Sequence, residues 1–370
     1  MNPPPHLLVC ISGHGYGHVA QTAPVLNALS RLVPDLRLTV RTSIPSAHLK
    51  SRIAVEFHHI EESVDPGMEM HTALEVDTDA SMRAYARFHE NWERRLQDEA
   101  QRIAGLSPDL VLSNVAYLPL AGAARKGIPA IAMCSLNWAD IFHHFCADRV
   151  GAQEILQQIE QAYLQADTFL RLTPAMPMPW LKNQLTLEPV AQRGSNRRPE
   201  IDDRLKLGPG DKLVLASMGG IGMELPVERW PALPGVFWLV PDGQGARTDM
   251  RPVGTLGMEF SDIIASCDLL LTKPGYGSFV EAASSGVPVL YAKRGAWPEQ
   301  DDLIAWLQQH GRCGELPAQA LQTGQFAEEL RNLLDQPRPM PVLPVGTMAA
   351  AELLAGYLTK SARSISMASP

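Results

Sequence analysis

Short apolar runs alternate along the chain with stretches whose apolar residues recur every third or fourth position. HLLVCIS (6–12), LRLTVRT (36–42), DLVLSN (109–114), PAIAMCS (129–135) and TFLRLT (168–173) have strand length. Between them, Ala20–Leu32 carries Ala23, Leu26, Leu29 and Leu32 on one helical face, and a charged stretch from Ala80 to Ile103 reads as a largely solvated helix. Strands alternating with helices predict β-α-β units and a parallel sheet.

Around 174–199 the chain becomes PAMPMPW and then QRGSNRRP, proline-rich and without a sustained period, which predicts a linker. The alternation then restarts with KLVLASMGG (212–220), VFWLVPDG (236–243), DLLLTKPGYGS (268–278) and PVLYAKR (288–294). The expected class is α/β: a Rossmann-like domain over 1–178, a linker over 179–200 and a second Rossmann-like domain over 201–342. After the breaker PRPMPVLPVG (337–346), the last part, 343–370, holds a helix from Thr347 to Lys360 that is able to pack back on the first domain. Two doubly wound sheets facing each other across a cleft would bring their glycine-rich loops around one ligand. The halves share an architecture and no repeated sequence.

The length of 370 residues exceeds the roughly 250–300 that one core usually organises, in keeping with two domains. Apolar residues at 45% and charged residues at 19% exclude a disordered or fibrous chain. The net charge of -8, with lysines and arginines scattered, leaves no footprint for nucleic acid or an anionic membrane. Cys10, Cys134, Cys146, Cys267 and Cys313 are odd in number and form no Cys-x-x-Cys, so they read as reduced, mostly buried thiols. The opening MNPPPHLLVC lacks a basic region and no run has the length of a membrane span, so the expected location is the cytoplasm. Nothing in the pattern fixes an oligomeric state.

The densest candidate chemistry lies in CDLLLTKPGYGSFVEAASSGVPVLYAKRGAWPEQDDL (267–303). A strand ends at Thr272, Lys273 follows, Gly275 and Gly277 permit a tight turn, and Ser278 opens a helix that carries Glu281. Free N–H groups at a helix N-terminus, with Lys273 and the Ser278 hydroxyl, suit a phosphate, and Glu281 suits the vicinal hydroxyls of a ribose. The plain alternative is a strand-to-helix turn with a serine cap and an early acidic residue. The Walker pattern is absent.

The succession Gly275, Ser278, Glu281, Gly286-Val287-Pro288 and Glu299-Gln300 resembles the donor-binding signature of GT-B glycosyltransferases. KPGYGSFVEA, PVLYAKRGAWPE and the turn GHGYGH are most similar to the glycosyltransferase-like N-terminal half of L-arabinokinase. The likeness extends to glycosyltransferase family 28, the lipid-II-forming N-acetylglucosaminyltransferase type, and to the nucleotide-sugar hydrolase of pseudaminic acid synthesis. It implies that Gly275, Tyr276, Gly277 and Ser278 meet the pyrophosphate of a nucleotide diphosphate sugar, a UDP-sugar being favoured, and that Glu281 holds the ribose. Lys273 stands where many plant-type members have His, which implies a charged contact to phosphate; Arg294, after a strand and near this motif, is readable as a partner of phosphate or only of Glu299. Glu299 and Gln300 occupy the place where the family reads sugar hydroxyls. The run SMGGIG (217–222), with Gly219 and Gly220, resembles the glycine loop near phosphates or base and is equally readable as a flexible turn.

The first half opens on ISGHGYGHV (11–19), where Gly13, Gly15 and Gly17 alternate with side chains ahead of a helix expected near Val19. In the resembled family this loop faces the donor phosphates, and His18 matches the histidine that closes it. His18 is therefore the expected base toward an acceptor hydroxyl or water, and His14 is expected to share or orient that proton or to donate to phosphate. The alternative is that both satisfy backbone groups in a turn and cap. His58-His59 and His143-His144 add imidazoles, but no acidic or cysteine partner stands at ligand spacing, so no metal is expected. Asn114, Asn137 and Trp138 end first-domain strands and are the acceptor-side candidates, Trp138 either stacking on a sugar face or serving the core. The acidic stretch 60–79 reads as a lid or as an insert. The implied activity is metal-independent and cofactor-independent glycosyl transfer, of hexosyltransferase type, from a nucleotide diphosphate sugar to an acceptor. Its rivals are hydrolysis or epimerisation of the nucleotide sugar, and a non-catalytic sugar-nucleotide-binding module.

Overall fold

The computed structural model describes residues 3–367 apart from 73, 221–223, 246 and 318. The chain forms two compact units, one of Met1–His71, Val76–Val190 and Val345–Pro370, the other of Thr72–Glu75 and Ala191–Pro344.

The first unit is built on β1 (His6–Ile11), β2 (Arg37–Thr42), β3 (His58–Glu61), β6 (Leu110–Asn114), β7 (Ala130–Cys134), β8 (Thr168–Leu172) and β9 (Gln184–Leu187). The chain also makes a two-stranded piece from β4 (Met70–Thr72) and β5 (Glu75–Val76). The seven strands are ordered β3-β2-β1-β6-β7-β8-β9, and all their pairings are parallel. β1, β6 and β7 are buried along their whole length, as expected of parallel strands covered by helices on both faces. Helix Gly17–Leu32 packs against the C-terminal helix Gly346–Met367, whose buried face includes Ala350, Ala351, Leu354 and Leu358.

Two expectations change over these stretches. The stretch 179–200 is not an irregular linker throughout, because Gln184–Leu187 adds the edge strand β9 and Arg198–Leu205 is a helix. Its alternating, half-polar QLTL lacks the apolar run by which the inner strands are recognised. The long charged stretch is two helices, Thr78–His89 and Trp92–Leu106, the first capped by Asp77, whose carboxylate accepts from Ala80 N at 2.8 Å.

The second unit holds β10 (Lys212–Ser217), β11 (Val236–Val240), β12 (Met250–Pro252), β13 (Leu269–Thr272), β14 (Val289–Tyr291) and β15 (Cys313–Glu315). They form a parallel sheet in the order β12-β11-β10-β13-β14-β15. One end of its core is an aromatic cluster in which Trp230, Trp238 and Phe326 meet at centroid distances of 5.2 to 6.2 Å. The short strands β12 and β15 carry too little apolar pattern to be predicted. Within this unit Leu74, from the acidic stretch 60–79, accepts from Gly295 N at 2.9 Å.

Candidate functional site

In the first unit the strand order reverses between β1 and β6, with Ile11 beside Asn114 in register. Ligands of open α/β sheets bind beyond the carboxyl ends of the strands at such a switch point. The glycine turn emerges there. Gly15 has φ +84°, a left-handed conformation that favours glycine, and a Cβ on Gly13 would stand 2.1 Å from Ser43 Oγ. The helix starts at Gly17, two residues before Val19, so His18 lies inside its first turn and is only 6% exposed.

A chain of three side chains, of which Asn114 touches the ring, orients His18. Its Nδ1 meets Asn114 Oδ1 at 2.9 Å, Asn114 Nδ2 donates to Gln21 Oε1 at 3.0 Å, and Gln21 Nε2 donates to Ser135 Oγ at 2.7 Å. With the amides so placed, Nδ1 carries the hydrogen and Nε2 keeps its lone pair. Burial lowers the His18 pKa to about 4, against the opposing bond from Asn114. The ring is therefore neutral at neutral pH and in the state a general base requires. Nδ1 faces Asn114, with Cys134 Sγ at 3.8 Å, and His14 instead stands edge-on to Trp138 at 5.3 Å.

Asp65, which no sequence motif marked, lies buried behind the same turn. It accepts from Ser12 Oγ at 2.9 Å and from Trp138 Nε1 at 2.8 Å, and burial raises its carboxyl to about 6. The structure also places the acceptor-side candidates, and for Trp138 it selects the core reading over the sugar face. Trp138 is fully buried, so its ring has no face to offer a sugar. Asn137 is the N-cap of helix Trp138–Cys146, accepting from Asp140 N at 2.8 Å and donating to Asp140 Oδ2 at 2.7 Å, which engages its whole amide. Asn114 is likewise buried and orients the imidazole.

The second unit repeats the geometry at its own switch point, between β10 and β13, where Ser217 pairs with Thr272. Gly219, at φ +82°, comes so near Lys273 that a Cβ there would stand 3.8 Å from Nζ. Gly220 follows it, and Ile221 and Gly222 lie outside the described residues. The helix begins at Tyr276 with Gly275 as N-cap, so Gly277 and Ser278 lie inside its first turn and Ser278 is not the cap that the plain alternative required. Gly275, at φ -167°, is extended, so the turn itself does not demand glycine there. Tyr276 and Glu281 are each only 3% exposed.

The charge around this helix start is cationic. Burial, and then the neighbouring Arg294, lower Lys273 to about 7; burial lowers Arg294 to about 10, with Glu299 opposing. The Arg294 guanidinium lies 3.9 Å over the Trp297 ring, and among the described residues its buried Nε has no hydrogen-bond partner. Gln300 braces the turn, accepting from Arg294 N at 3.0 Å and donating to Gly295 O at 2.7 Å. Glu299 Oε2 lies 3.3 Å from Trp297 Nε1. Two cations beside one carboxylate leave a positive surplus in a desolvated site, which suits an anion. Among the described residues no group of three or more His, Cys, Asp or Glu is arranged to hold a metal ion. Among them, too, no helix is long and apolar enough to cross a membrane.

Similar folds occur in solved glycosyltransferases. The glycotransferase of kitacinnamycin matches with a TM-score of 0.57 at 14% identity, over 97% of this chain and 96% of that one. CalG4, the calicheamicin glycosyltransferase, matches with a TM-score of 0.56 at 16% identity, over 97% and 95%. UGT2 of Phytolacca americana, complexed with UDP-2-fluoro-glucose and pterostilbene, matches with a TM-score of 0.55 at 14% identity, over 97% and 94%. The fold is that of the GT-B glycosyltransferases. No family model matches the chain. By sequence it is 26% identical over 330 residues to L-arabinokinase of Arabidopsis thaliana, covering 86% of this chain. The chain spans about a third of that protein, 31% of its length. The GT-B fold expected from the motifs is thus present, with both glycine turns at the switch points of their own Rossmann-like sheets.

Proposed function

We propose that the chain transfers a sugar from a nucleotide diphosphate sugar, a UDP-sugar in the first instance, to an acceptor hydroxyl. The observation that carries this reading is the buried, neutral His18, held through Nδ1 by Asn114 at the carboxyl end of β1 and β6. Its Nε2 takes the acceptor proton as the new glycosidic bond forms and the bond from the sugar to the diphosphate breaks. Lys273, Arg294 and the start of helix Tyr276–Ser284 take the charge of the departing diphosphate. That stabilisation needs neither metal nor cofactor.

The test has two stages. A panel of UDP-, GDP- and dTDP-sugars is screened for thermal stabilisation of the protein, and at least one is expected to raise Tm. With that donor, nucleotide release is followed with and without added acceptors. Release that depends on acceptor supports transfer. Release into water alone replaces it by hydrolysis, and stabilisation without release replaces it by a silent binding module. His18→Ala is expected to abolish turnover and keep donor binding; unchanged turnover removes the base.

A further inference from the structure

Helix Trp92–Leu106, read from sequence as part of a solvated stretch, turns a charged face toward a cavity of about 370 Å³ within the first unit. Asn91, Arg94, Arg95, Asp98, Glu99 and Arg102 line it at the three- and four-residue spacing that puts side chains on one side of a helix. Its floor is a buried pair in which Arg41 donates to both Glu99 oxygens at 2.6 and 2.9 Å, each side chain 3% exposed. Gly122 makes room for that pair, since a Cβ there would stand 2.7 Å from Glu99 Cγ.

The carboxylates lining the cavity are engaged and one arginine is not. Glu99 faces Arg41, Glu62 joins Arg41 at 3.3 Å and also pairs with Arg102, and Asp98 meets Arg94 at 4.0 Å. Arg95 instead lies over the Phe88 ring at 4.4 Å, and among the described residues no carboxylate pairs with it. Asn91 is the N-cap residue of the helix but makes no side-chain capping bond, so its amide is not taken up by the helix end. Four guanidinium groups against three carboxylates leave the lining with one net positive charge, beside an apolar wall of Phe88, Val64 and Leu118.

We propose that this cavity binds a small organic anion of about monosaccharide size, gripped through its phosphate or carboxylate by Arg95 and Arg94. A guanidinium offers a planar fork that matches either group, and stacking on Phe88 holds the Arg95 fork in place before the ligand arrives. Arg94 is 86% exposed and only loosely paired, so it is free to swing onto the anion. The volume of about 370 Å³ lies at the small end of ligand pockets. Asn91 and the apolar wall take the uncharged part of the molecule. The site shares no residue with the cationic group around Lys273 and does not depend on the donor chemistry proposed above. Val64 in its wall directly precedes Asp65, which braces the glycine turn.

The test titrates the intact chain at low ionic strength with inorganic phosphate, glucose 6-phosphate and glucuronate by calorimetry. Glucose 6-phosphate or glucuronate is expected to bind, with an affinity that falls about tenfold or more in the Arg94→Gln/Arg95→Gln double variant, the loss of a charge-assisted contact. Lys273→Met, which disables the other cationic group, is expected to leave that affinity unchanged. Both arginines lie on an exposed helix face, and an unaltered circular dichroism spectrum certifies the fold. Absence of binding by all three probes overturns the proposal, as does binding that survives the double arginine variant or vanishes with Lys273→Met. Inorganic phosphate binding as tightly as glucose 6-phosphate, with no binding of glucuronate, overturns the organic part of the ligand.

Discussion

Asn114 Oδ1 stands 2.9 Å from His18 Nδ1 and orients the ring without carrying a charge that would hold a second proton on it. Asn114→Asp places an anion at that distance, and Gln21 is able to turn its amide so that both contacts persist. The imidazole pKa then rises by about one unit or more, because a neighbouring negative charge favours the protonated form. The acid limb of the pH–rate profile is expected to move up by the same amount. A limb that stays in place removes Asn114 from the site.

The depressed His18 pKa also sets a stability window. The folded ring titrates at about 4 and the unfolded one at 6.5, so between these values the unfolded chain binds a proton that the native chain does not. The contribution is complete above 6.5 and is lost as pH falls toward 4, about 3 kcal/mol from this one buried group. His89, also near 4, acts in the same window and direction. Asp65, raised from 3.8 to about 6, acts in the opposite direction: its stabilising share is present below 3.8 and is lost as pH rises through 6. Urea titrations at pH 7 and pH 5 are expected to show a smaller acid loss in His18→Gln than in the wild type, and a larger one in Asp65→Asn.

Lys273 is half protonated near pH 7, and only its charged form attracts a diphosphate. Affinity for UDP is therefore expected to fall about tenfold between pH 6 and pH 8, as one proton is lost from the binding form. Lys273→Arg stays charged throughout and is expected to flatten that dependence. Calorimetric titration at the two pH values checks it, and an equal slope in the variant and the wild type excludes Lys273 as its origin.

Glu99→Ala leaves the Arg41 guanidinium buried without its bidentate partner. The loss is expected to be about 3–5 kcal/mol, whereas the Arg41→Met/Glu99→Leu double variant recovers most of it, since desolvation of both charges offsets much of their attraction. Chemical denaturation of the three proteins measures the difference. A double variant no more stable than Glu99→Ala would refute this account of the pair.

The GT-B fold was legible because its inner strands are unbroken apolar runs and its two glycine turns follow such runs directly. The outer strands β9, β12 and β15 were not, since an edge strand of three or four residues needs little apolar pattern to pair. His18 and Lys273 were visible as candidates because a titratable side chain beside glycines at a strand end is unusual in a plain turn. Asp65 and Gln21 carried no such mark. The start of the second-unit helix, two residues ahead of Ser278, and the choice of the core over a sugar face for Trp138 needed the structure, because neither a helix start nor the depth of a side chain in the core is encoded in local spacing.

Local pattern alone determined the α/β alternation, the positions of the glycine turns and the residue types available for chemistry, because strand and helix periods act within a few residues. Only the tertiary structure decided which polar groups meet. The partners of the first-unit site lie 53, 73 and 96 residues apart, Ser12 with Asp65, Asp65 with Trp138 and His18 with Asn114, and the sheet order alone brings them together. Burial then sets their charge: the same imidazole that is half protonated at 6.5 in the open chain is neutral down to about 4 once water is excluded from it.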